Sequence, residues 1–458
     1  MGPATTGILD DLAAGLTGGR LVVAEASLEA YRHDFVPDPD AGRPLAAALV
    51  TSVEEVRHCL RWATRHRVPM VPRGAGTGLS GGATAVDGCL VLVLDAMTAI
   101  SIDPTARVAT VEPGALNIAV KEAAAAHGLH YPPDPGSFRI STIGGNIATN
   151  AGGLCCVKYG VTAAYVLGLD IVLADGRLLE LGGSTIKDVA GLPLLPLFVG
   201  SEGTLGVVVG ARLRLVPQPP PAATVVAVFS TTRAAGEAVV AIGRTCTPSL
   251  LELLDNRTIN NVEDYRPSGL DRTAGALLIA QSDARGAAAA AEAETIAELC
   301  RAAGADEVHV SDDPEEGEAL VEVRRMTGPA VEVRGALLPE DVGVPVDRLP
   351  DLLTAIEAVA AELDVEIPVV AHAGDGNVHP TIVYDPADVA MVARARVAFE
   401  RILALALELD GTITGEHGVG RAKRSALAAQ VGDDVLEVSR GIKAVLDPLG
   451  LLNPGVLL

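Results

Sequence analysis

VPRGAGTGLSGGATAVDG, residues 71–88, is the stretch on which the fold of this chain turns. It follows a short apolar run and offers a succession of unblocked main-chain N–H groups, an arrangement suited to a pyrophosphate. Gly76-x-Gly78-x-x-Gly81 satisfies the dinucleotide fingerprint, and Asp95 falls at the distance expected of a ribose contact. A βαβ crossover, however, needs a helix of roughly a dozen residues, and residues 81–88 are too few and too broken by glycine to supply one. The segment therefore predicts phosphate held by a loop alone, outside a Rossmann unit.

Two further loops share this character. Residues 132–137 (PPDPGS) lead into residues 142–153 (TIGGNIATNAGG), where small and amide-bearing residues let a flat ring lie against backbone. Residues 200–206 (GSEGTLG) precede a strand. Each alone reads more readily as a plain turn than as a ligand loop. Three in one region, each with Ser, Thr or Asn able to bond a ligand, favour one large extended cofactor.

A second kind of chemistry lies downstream. Val369 to Ala373 and Val378 to Val383 are rich in β-branched residues, and Asp375-Gly376 between them suits a two-residue type I′ turn. That register sets Gly374 against Asn377 and His372 against His379. Directly opposed residues share a sheet face with Cβ atoms about 4.5–5.5 Å apart, close enough for two imidazoles to meet one ion at roughly 2 Å. Taken alone, the two histidines make a weak site and read more readily as a cross-strand polar pair near an edge. Glu416 is the candidate third ligand, because two histidines and a carboxylate leave coordination positions open to substrate. His417 points differently from Glu416 in any extended or turn backbone, and a histidine beside a metal suits a general base. Residues 415–420 also read as a glycine-rich turn with two solvated polar residues.

Composition narrows the classes of function. With 458 residues the chain can bury a large core and form two or three domains. Lys+Arg 35 against Asp+Glu 58 gives a formal charge of -23, which repels phosphate backbones and anionic lipid and argues against nucleic-acid partners. Arg421, Lys423 and Arg424 read as anion contacts inside a site or as a solvated face. Cys59, Cys89, Cys155, Cys156, Cys246 and Cys300 include no Cys-x-x-Cys pair, so no iron-sulfur cluster or zinc ribbon is indicated. No run approaches a membrane span, and the N-terminus lacks a basic and apolar leader pattern, so a soluble, cytoplasmic protein is expected.

Helices are predicted over Val53 to His66 and Asn117 to His127, and strands over Cys89 to Leu94, Val108 to Val111, Leu169 to Leu173 and Val207 to Leu215. The run Pro217-Gln218-Pro219-Pro220-Pro221 marks a boundary. Beyond it strands and helices alternate: Val225 to Phe229, a helix from Thr232, Leu250 to Leu254, Ala276 to Gln281, and a helix from Ala284 to Ala303. This predicts helices on one face of a mixed sheet that the histidine hairpin finishes. Asp385-Pro386 is the expected cap of a helix running to Glu408. The sequence closes in a Pro- and Gly-punctuated tail, residues 446–458.

These motifs together resemble the vanillyl-alcohol-oxidase type of FAD enzyme, and within it the branch that contains the glycolate oxidase D subunit, D-lactate dehydrogenase and D-2-hydroxyglutarate dehydrogenase. PRGAGTGLSGGA, PPDPGS, TIGGNIATNAGG, KYGVT, GSEGTLGVV, HAGDGNVHP, GEHGVG and the closing NPG occur in family order over nearly the whole chain. The resemblance implies an α+β architecture: a two-part FAD-binding domain (1–218), a ferredoxin-like cap domain with the metal hairpin (219–410) and a short C-terminal helical return to the flavin (411–458). It implies that Pro72, Arg73, Gly74, Ala75, Gly76, Thr77, Gly78, Ser80 and Gly81 hold the FAD pyrophosphate. Pro135, Ser137, Thr142, Gly145, Asn146 and Thr149 would line the ribityl chain and isoalloxazine, and Glu202, Gly203, Thr204 and Val207 the adenosine side. Asn453 of the closing motif joins the cofactor set. His372, His379 and Glu416 would bind a divalent metal (Zn, Fe or Mn), with His417 as base. VEVRRMTGPAV resembles the segment whose arginine binds the substrate carboxylate; Arg324 aligns best, with Arg325 the alternative.

The same resemblance implies a metal-assisted oxidation of a 2-hydroxy acid to the 2-oxo acid, with hydride passing to flavin N5. Hydroxyglutarate enzymes carry a lysine after that arginine segment for a second carboxylate. Ala336-Leu337-Leu338-Pro339 offers none, which favours a monocarboxylate such as glycolate or D-lactate. Cys155-Cys156 falls near the flavin edge in this alignment, but unlinked FAD is expected. Electrons must leave to oxygen, a quinone, an electron-transfer flavoprotein or an iron-sulfur partner subunit. Two rival readings are a flavin-free non-haem iron enzyme and a metal-stabilised binding protein.

Overall fold

Alternation of short apolar strands with one amphipathic helix builds the first sheet. The computed structural model describes residues 3–458, with side chains from residue 7 onward. Strands β1 (Arg20–Val22), β2 (Ala46–Leu49), β3 (Met70–Arg73) and β4 (Leu90–Val93) lie in the order β1-β2-β4-β3. The last three are mutually parallel, and β1 pairs antiparallel at the edge. Helix α1 (Val53–His66) spans the residues expected of it. Ser52 Oγ accepts from Glu55 N at 3.3 Å to open it, and Arg67 closes it in the left-handed region at φ 54. Val56, Cys59, Leu60 and Ala63, spaced three and four apart, bury one helical stripe with Trp62 against Met70, Leu90 and Leu92. All four residues of β4 are buried, as a central parallel strand covered on both faces requires.

A second, wholly antiparallel sheet follows in the same unit. It joins β5 (Ile100–Asp103), β6 (Val108–Val111), β7 (Val166–Val172), β8 (Leu178–Gly182) and β9 (Val207–Arg214) in the order β5-β6-β9-β7-β8. Helices α2 (Asn117–Ala125) and α3 (Ile143–Thr149) lie between β6 and β7 in sequence. This unit comprises the described residues through Ala151, Val161–Gln218 and Glu416–Leu458.

The other unit comprises Gly152–Gly160 and Pro219–Gly415. Strand β10 (Ala223–Phe229), helix α4 (Thr232–Gly243) and strand β11 (Leu250–Asp255) form its first half. After helix α5 (Asn256–Tyr265), β12 (Ala276–Ser282), α6 (Ala287–Ala302) and β13 (Glu307–Ser311) form the second. The order β13-β10-β12-β11 is that of a ferredoxin-like sheet, in which two split strand-helix-strand halves interleave. Helix α7 (Pro314–Arg325) follows, then β14 (Ala336–Pro339), β15 (Val342–Gly343) and helix α8 (Leu349–Leu363). Hairpin strands β16 (Val369–His372) and β17 (Asn377–Tyr384) extend the sheet from β11.

Three expectations are corrected here. The sheet is antiparallel throughout, because each crossover returns the chain beside a strand of opposite direction. The hairpin does not finish it, since β14 pairs beyond β17 as the outer strand and β15 also pairs with β17. The long helix α9 (Val389–Glu408) is capped by Asp388, which accepts from Ala390 N and Met391 N at 2.9 and 3.0 Å. Asp385 makes a preliminary turn by accepting from Ala387 N. The C-terminal return is helical, through α10 (Arg424–Val431) and α11 (Asp433–Leu446).

Candidate active site

In the first unit β3 delivers the glycine loop. No helix follows the loop before β4, in keeping with a phosphate held by loop alone. Among the described residues, none accepts a hydrogen bond from the main-chain N–H of Gly74, Ala75, Gly76, Thr77, Gly78 or Leu79. Such a row of donors fits an anionic group, since unpaired main-chain N–H groups are otherwise rare in folded chains. At Gly74 the loop has no room for a side chain: a Cβ there would stand 2.3 Å from Thr142 Oγ1. Gly76 and Gly81 hold φ of +73 and +80, where a side chain is strained.

The other predicted loops gather around this one. Glu202 N donates to Ala148 O at 2.8 Å, and the Gly203 Cα faces the Pro72 ring. Asn453 Nδ2 donates to Gly82 O and Glu202 O at 2.8 and 2.7 Å. Ser80 Oγ donates to His417 O at 2.9 Å. Several side chains expected on the cofactor are bonded to protein neighbours. Asn146 is tied to Asn117 and Ser141, Thr142 caps α3, Thr149 donates to Gly145 O and Thr204 to Ser201 O. These bonds hold the loops to one another. Pro135 and Ser137 use their carbonyls to turn the chain, accepting from Phe138 N and from Ile140 N and Ser141 N. Val207 opens β9 and is buried.

Two acids behind these loops escaped the sequence reading in their electrostatic role. Burial pushes Asp34 up to about 6, and a Cβ on Gly78 would touch its carboxyl oxygen. Glu202 sits in the left-handed region at φ 52 and accepts from Val419 N at 2.9 Å and Gly420 N at 2.8 Å. Burial lifts it to about 7 in spite of these bonds. Of the basic residues after His417, Arg421 pairs with Asp38 at 3.3 Å, Lys423 is buried and Arg424 is exposed.

In the second unit the hairpin register differs from the expected one. His372 stands opposite Asn377, and Val370 opposite His379. The loop is therefore a four-residue one, a short 3-10 turn over Ala373–Asp375 closed by Gly376 at φ 79. A shift by two positions preserves the face, so the histidines remain on one side of the sheet as diagonal neighbours. Their ring centroids are 4.9 Å apart with planes at 83°.

Two buried carboxylates that sequence reasoning missed stand behind these rings. Glu252, opposite His372 on β11, places Oε1 at 2.8 Å from His372 Nδ1. Asp341 Oδ1 lies 3.6 Å from His379 Nδ1. Asp341 also accepts from Asn377 Nδ2 at 2.7 Å and from Thr414 Oγ1 and Gly415 N at 2.7 and 2.9 Å. With its Nδ1 hydrogen-bonded to Glu252, His372 leaves Nε2 as the nitrogen suited to a metal, and two imidazoles on one face beside buried carboxylates fit a divalent ion.

Arg324, expected to grip substrate, is 7% exposed and lies in the last turn of α7. Its Nε donates to Glu252 Oε2 at 2.7 Å and its Nη1 to Thr327 Oγ1 at 3.2 Å. Among the described residues Nη2 has no hydrogen-bond acceptor, and a single N–H edge remains for a ligand carboxylate. The alternative, Arg325, faces Glu318 and Glu322 of its own helix. Lys158 and Tyr159 of the KYGVT motif both bond Asp283. Glu416 and His417 open the last stretch of the first unit, with Glu416 Oε1 4.0 Å from His417 Nε2.

The chain is similar to known proteins over most of its length. A family model described as FAD linked oxidases, C-terminal domain, matches residues 218–457, and one described as FAD binding domain matches residues 44–182. A relative from Bacillus subtilis named glycolate oxidase subunit GlcD is 40% identical over 428 residues, 93% of this chain and 91% of that protein. A D-lactate dehydrogenase from Archaeoglobus fulgidus is 36% identical over 437 residues, covering 93% and 95% of the two chains. The fold matches that of 4-ethylphenol oxidase from Gulosibacter chungangensis with a TM-score of 0.79 at 17% identity, over 99% of this chain and 97% of that one.

Proposed function

Since the chain belongs to the FAD-linked oxidases, we propose that it oxidises a small 2-hydroxy acid of the glycolate or D-lactate type to the 2-oxo acid, using FAD and a divalent metal. The observation that carries this reading is the pair of imidazoles on one sheet face, each with its Nδ1 turned to a buried carboxylate. We assign cofactor binding to residues 1–218, the cap to 219–410 and the return to 411–458. His372, His379 and Glu416 are the proposed metal ligands. Support for the third ligand comes through the chain itself. A Cβ on Gly415 would stand 2.3 Å from Asn377 Nδ2, and Asn377 is the residue opposite His372. Glu416 is therefore one peptide bond from a residue seated against the hairpin.

When bound, FAD supplies a two-electron acceptor, and the metal supplies a Lewis acid that lowers the pKa of a ligated hydroxyl. The residues of this chain do the rest. The glycine loop with Arg73 and Ser80 orients the cofactor through main-chain donors, and Arg324 meets the substrate carboxylate through its remaining N–H edge. An imidazole nitrogen of His417 takes the hydroxyl proton as the C2 hydride departs, so the alcohol loses one proton and one hydride and becomes the carbonyl. No lysine occurs in residues 336–339 to meet a second carboxylate, which favours glycolate or D-lactate over D-2-hydroxyglutarate. Reoxidation by a quinone, an electron-transfer flavoprotein or an iron-sulfur partner subunit, and a cytoplasmic location, belong to the same proposal. Among the described residues no helix is long and apolar enough to cross a membrane.

The test is anaerobic titration of the purified yellow protein with glycolate, D-lactate and D-2-hydroxyglutarate. Flavin bleaching by a monocarboxylate is expected, and failure of all three to bleach it overturns the assignment. In the same assay His417→Ala should keep its FAD yet be reduced at least about 100-fold more slowly, the scale of a lost general base. Rapid reduction of that variant removes His417 from the mechanism.

A further inference from the structure

We propose that Glu252 is a positioning residue that locks His372 into its metal-binding tautomer and ties that imidazole to Arg324. The inference rests on the reading of His372 as a metal ligand. Glu252 lies in the middle of β11, between apolar neighbours in LLELLD, and is completely buried. A carboxylate in such a strand is costly unless its oxygens are matched by donors. Both are: Oε1 and Oε2 lie 2.8 and 3.0 Å from His372 Nδ1, and Oε2 accepts from Arg324 Nε at 2.7 Å.

An ionised carboxylate only accepts, so the hydrogen bond places the imidazole proton on Nδ1 and leaves the lone pair on Nε2. Strand pairing enforces this. Glu252 and His372 are directly opposed in an antiparallel ladder, so both side chains leave the sheet on one face at short range. The second contact reaches the proposed substrate anchor. Glu252 takes the Nε edge of Arg324 and Thr327 takes Nη1, which fixes the plane of the guanidinium and the direction of Nη2. One acid thus orients a metal ligand and a substrate ligand together.

The experiment measures the dissociation constant for Zn2+ by competition with a chromophoric chelator, on the full FAD-loaded chain. Wild type, His372→Ala, Glu252→Gln and the double variant Glu252→Gln/Arg324→Gln are compared. Outer carboxylates of metal-bound histidines are worth about 10–100-fold in affinity, so Glu252→Gln should weaken Zn2+ by that factor with flavin content unchanged. The double variant removes the buried arginine charge along with the acid and should show the same weakening should the single variant fail to fold. Leu278→Ala, a buried change on the opposite face of the neighbouring strand, should lower thermal stability and leave Zn2+ affinity as it was. Wild-type affinity in Glu252→Gln or the double variant, with His372→Ala unable to bind, overturns the role of Glu252 alone. Equal Zn2+ binding by wild type and His372→Ala overturns the metal reading and this inference together.

Discussion

Glu202 makes stability depend on pH with a sign that a surface glutamate does not give. Its carboxylate is buried, and burial outweighs the Val419 and Gly420 N–H bonds to raise its pKa from 4.5 to about 7. A raised carboxyl binds its proton more tightly in the folded state, so its contribution is fully present below about 4.5 and is lost as pH rises through about 7. At roughly 1.4 kcal/mol for each tenfold change in acidity, the loss is about 3 kcal/mol. Glu202→Gln removes the titration. A protonated carboxyl and a primary amide each offer one good acceptor oxygen to the two N–H groups, so wild type and variant should begin near parity at about pH 4.5. By about pH 7.5 the wild type should have fallen behind the variant by about 3 kcal/mol. The assay is urea unfolding of the FAD-saturated protein across that range, followed by fluorescence of Trp62. This is the only tryptophan of the chain, and it is buried in the unit that contains Glu202. Taking the difference between the two proteins at each pH cancels every other titrating group. A difference that stays flat, or moves in favour of wild type as pH rises, refutes the reasoning.

Two glycine substitutions probe the loops. Gly415→Ala drives a Cβ into Asn377, whose amide donates to Asp341 Oδ1 and Val342 O, and displacing it should cost about 2–4 kcal/mol and weaken Zn2+ binding. An unchanged urea midpoint with unchanged Zn2+ affinity contradicts the placement of Gly415. Gly74→Ala forces Thr142 Oγ1 away from a Cβ 2.3 Å distant, and should lower FAD affinity at least about tenfold by disturbing the glycine loop. Recovery of flavin fluorescence on dilution reads that constant, and a wild-type value refutes that role of the loop.

Local pattern carries the elements of this fold, and pairing is where it runs out. The stripe Val56, Cys59, Leu60, Ala63 marks α1 by its periodicity, and the expected and observed bounds coincide. Val108–Val111 is equally legible as a β-branched run. At the histidine hairpin, Asp375-Gly376 announces a turn but not its length: Gly376 takes a positive φ in a four-residue loop as readily as in a two-residue one. The observed register therefore differs from the expected one by two, and only the two-residue period of a strand keeps both histidines on one face. The direction of the strands in the cap sheet is likewise hidden, since it depends on which strand each crossover returns beside.

The acids show where a sequence stops speaking. Glu55, Glu202 and Glu252 are all buried, and Glu252, a lone carboxylate within a six-residue apolar strand, advertises its burial in the sequence. What each acid meets is mostly invisible locally: Glu55 reaches Thr51 four residues back but also Gly18, 37 residues away, and the partners of Glu202 and Glu252 lie 217 and 120 residues away. Glu55 accepts main-chain N–H groups of Gly18 and Gly19 and fixes a turn, and Glu202 does the same for the loop after His417. Glu252 instead meets an imidazole and a guanidinium, side chains that themselves have a second face to offer. A buried acid bonded to main chain ends in structure, whereas one bonded to functional side chains transmits its orientation outward. That difference in partners, and not burial, is what separates Glu252 from the other two as a residue of the chemistry.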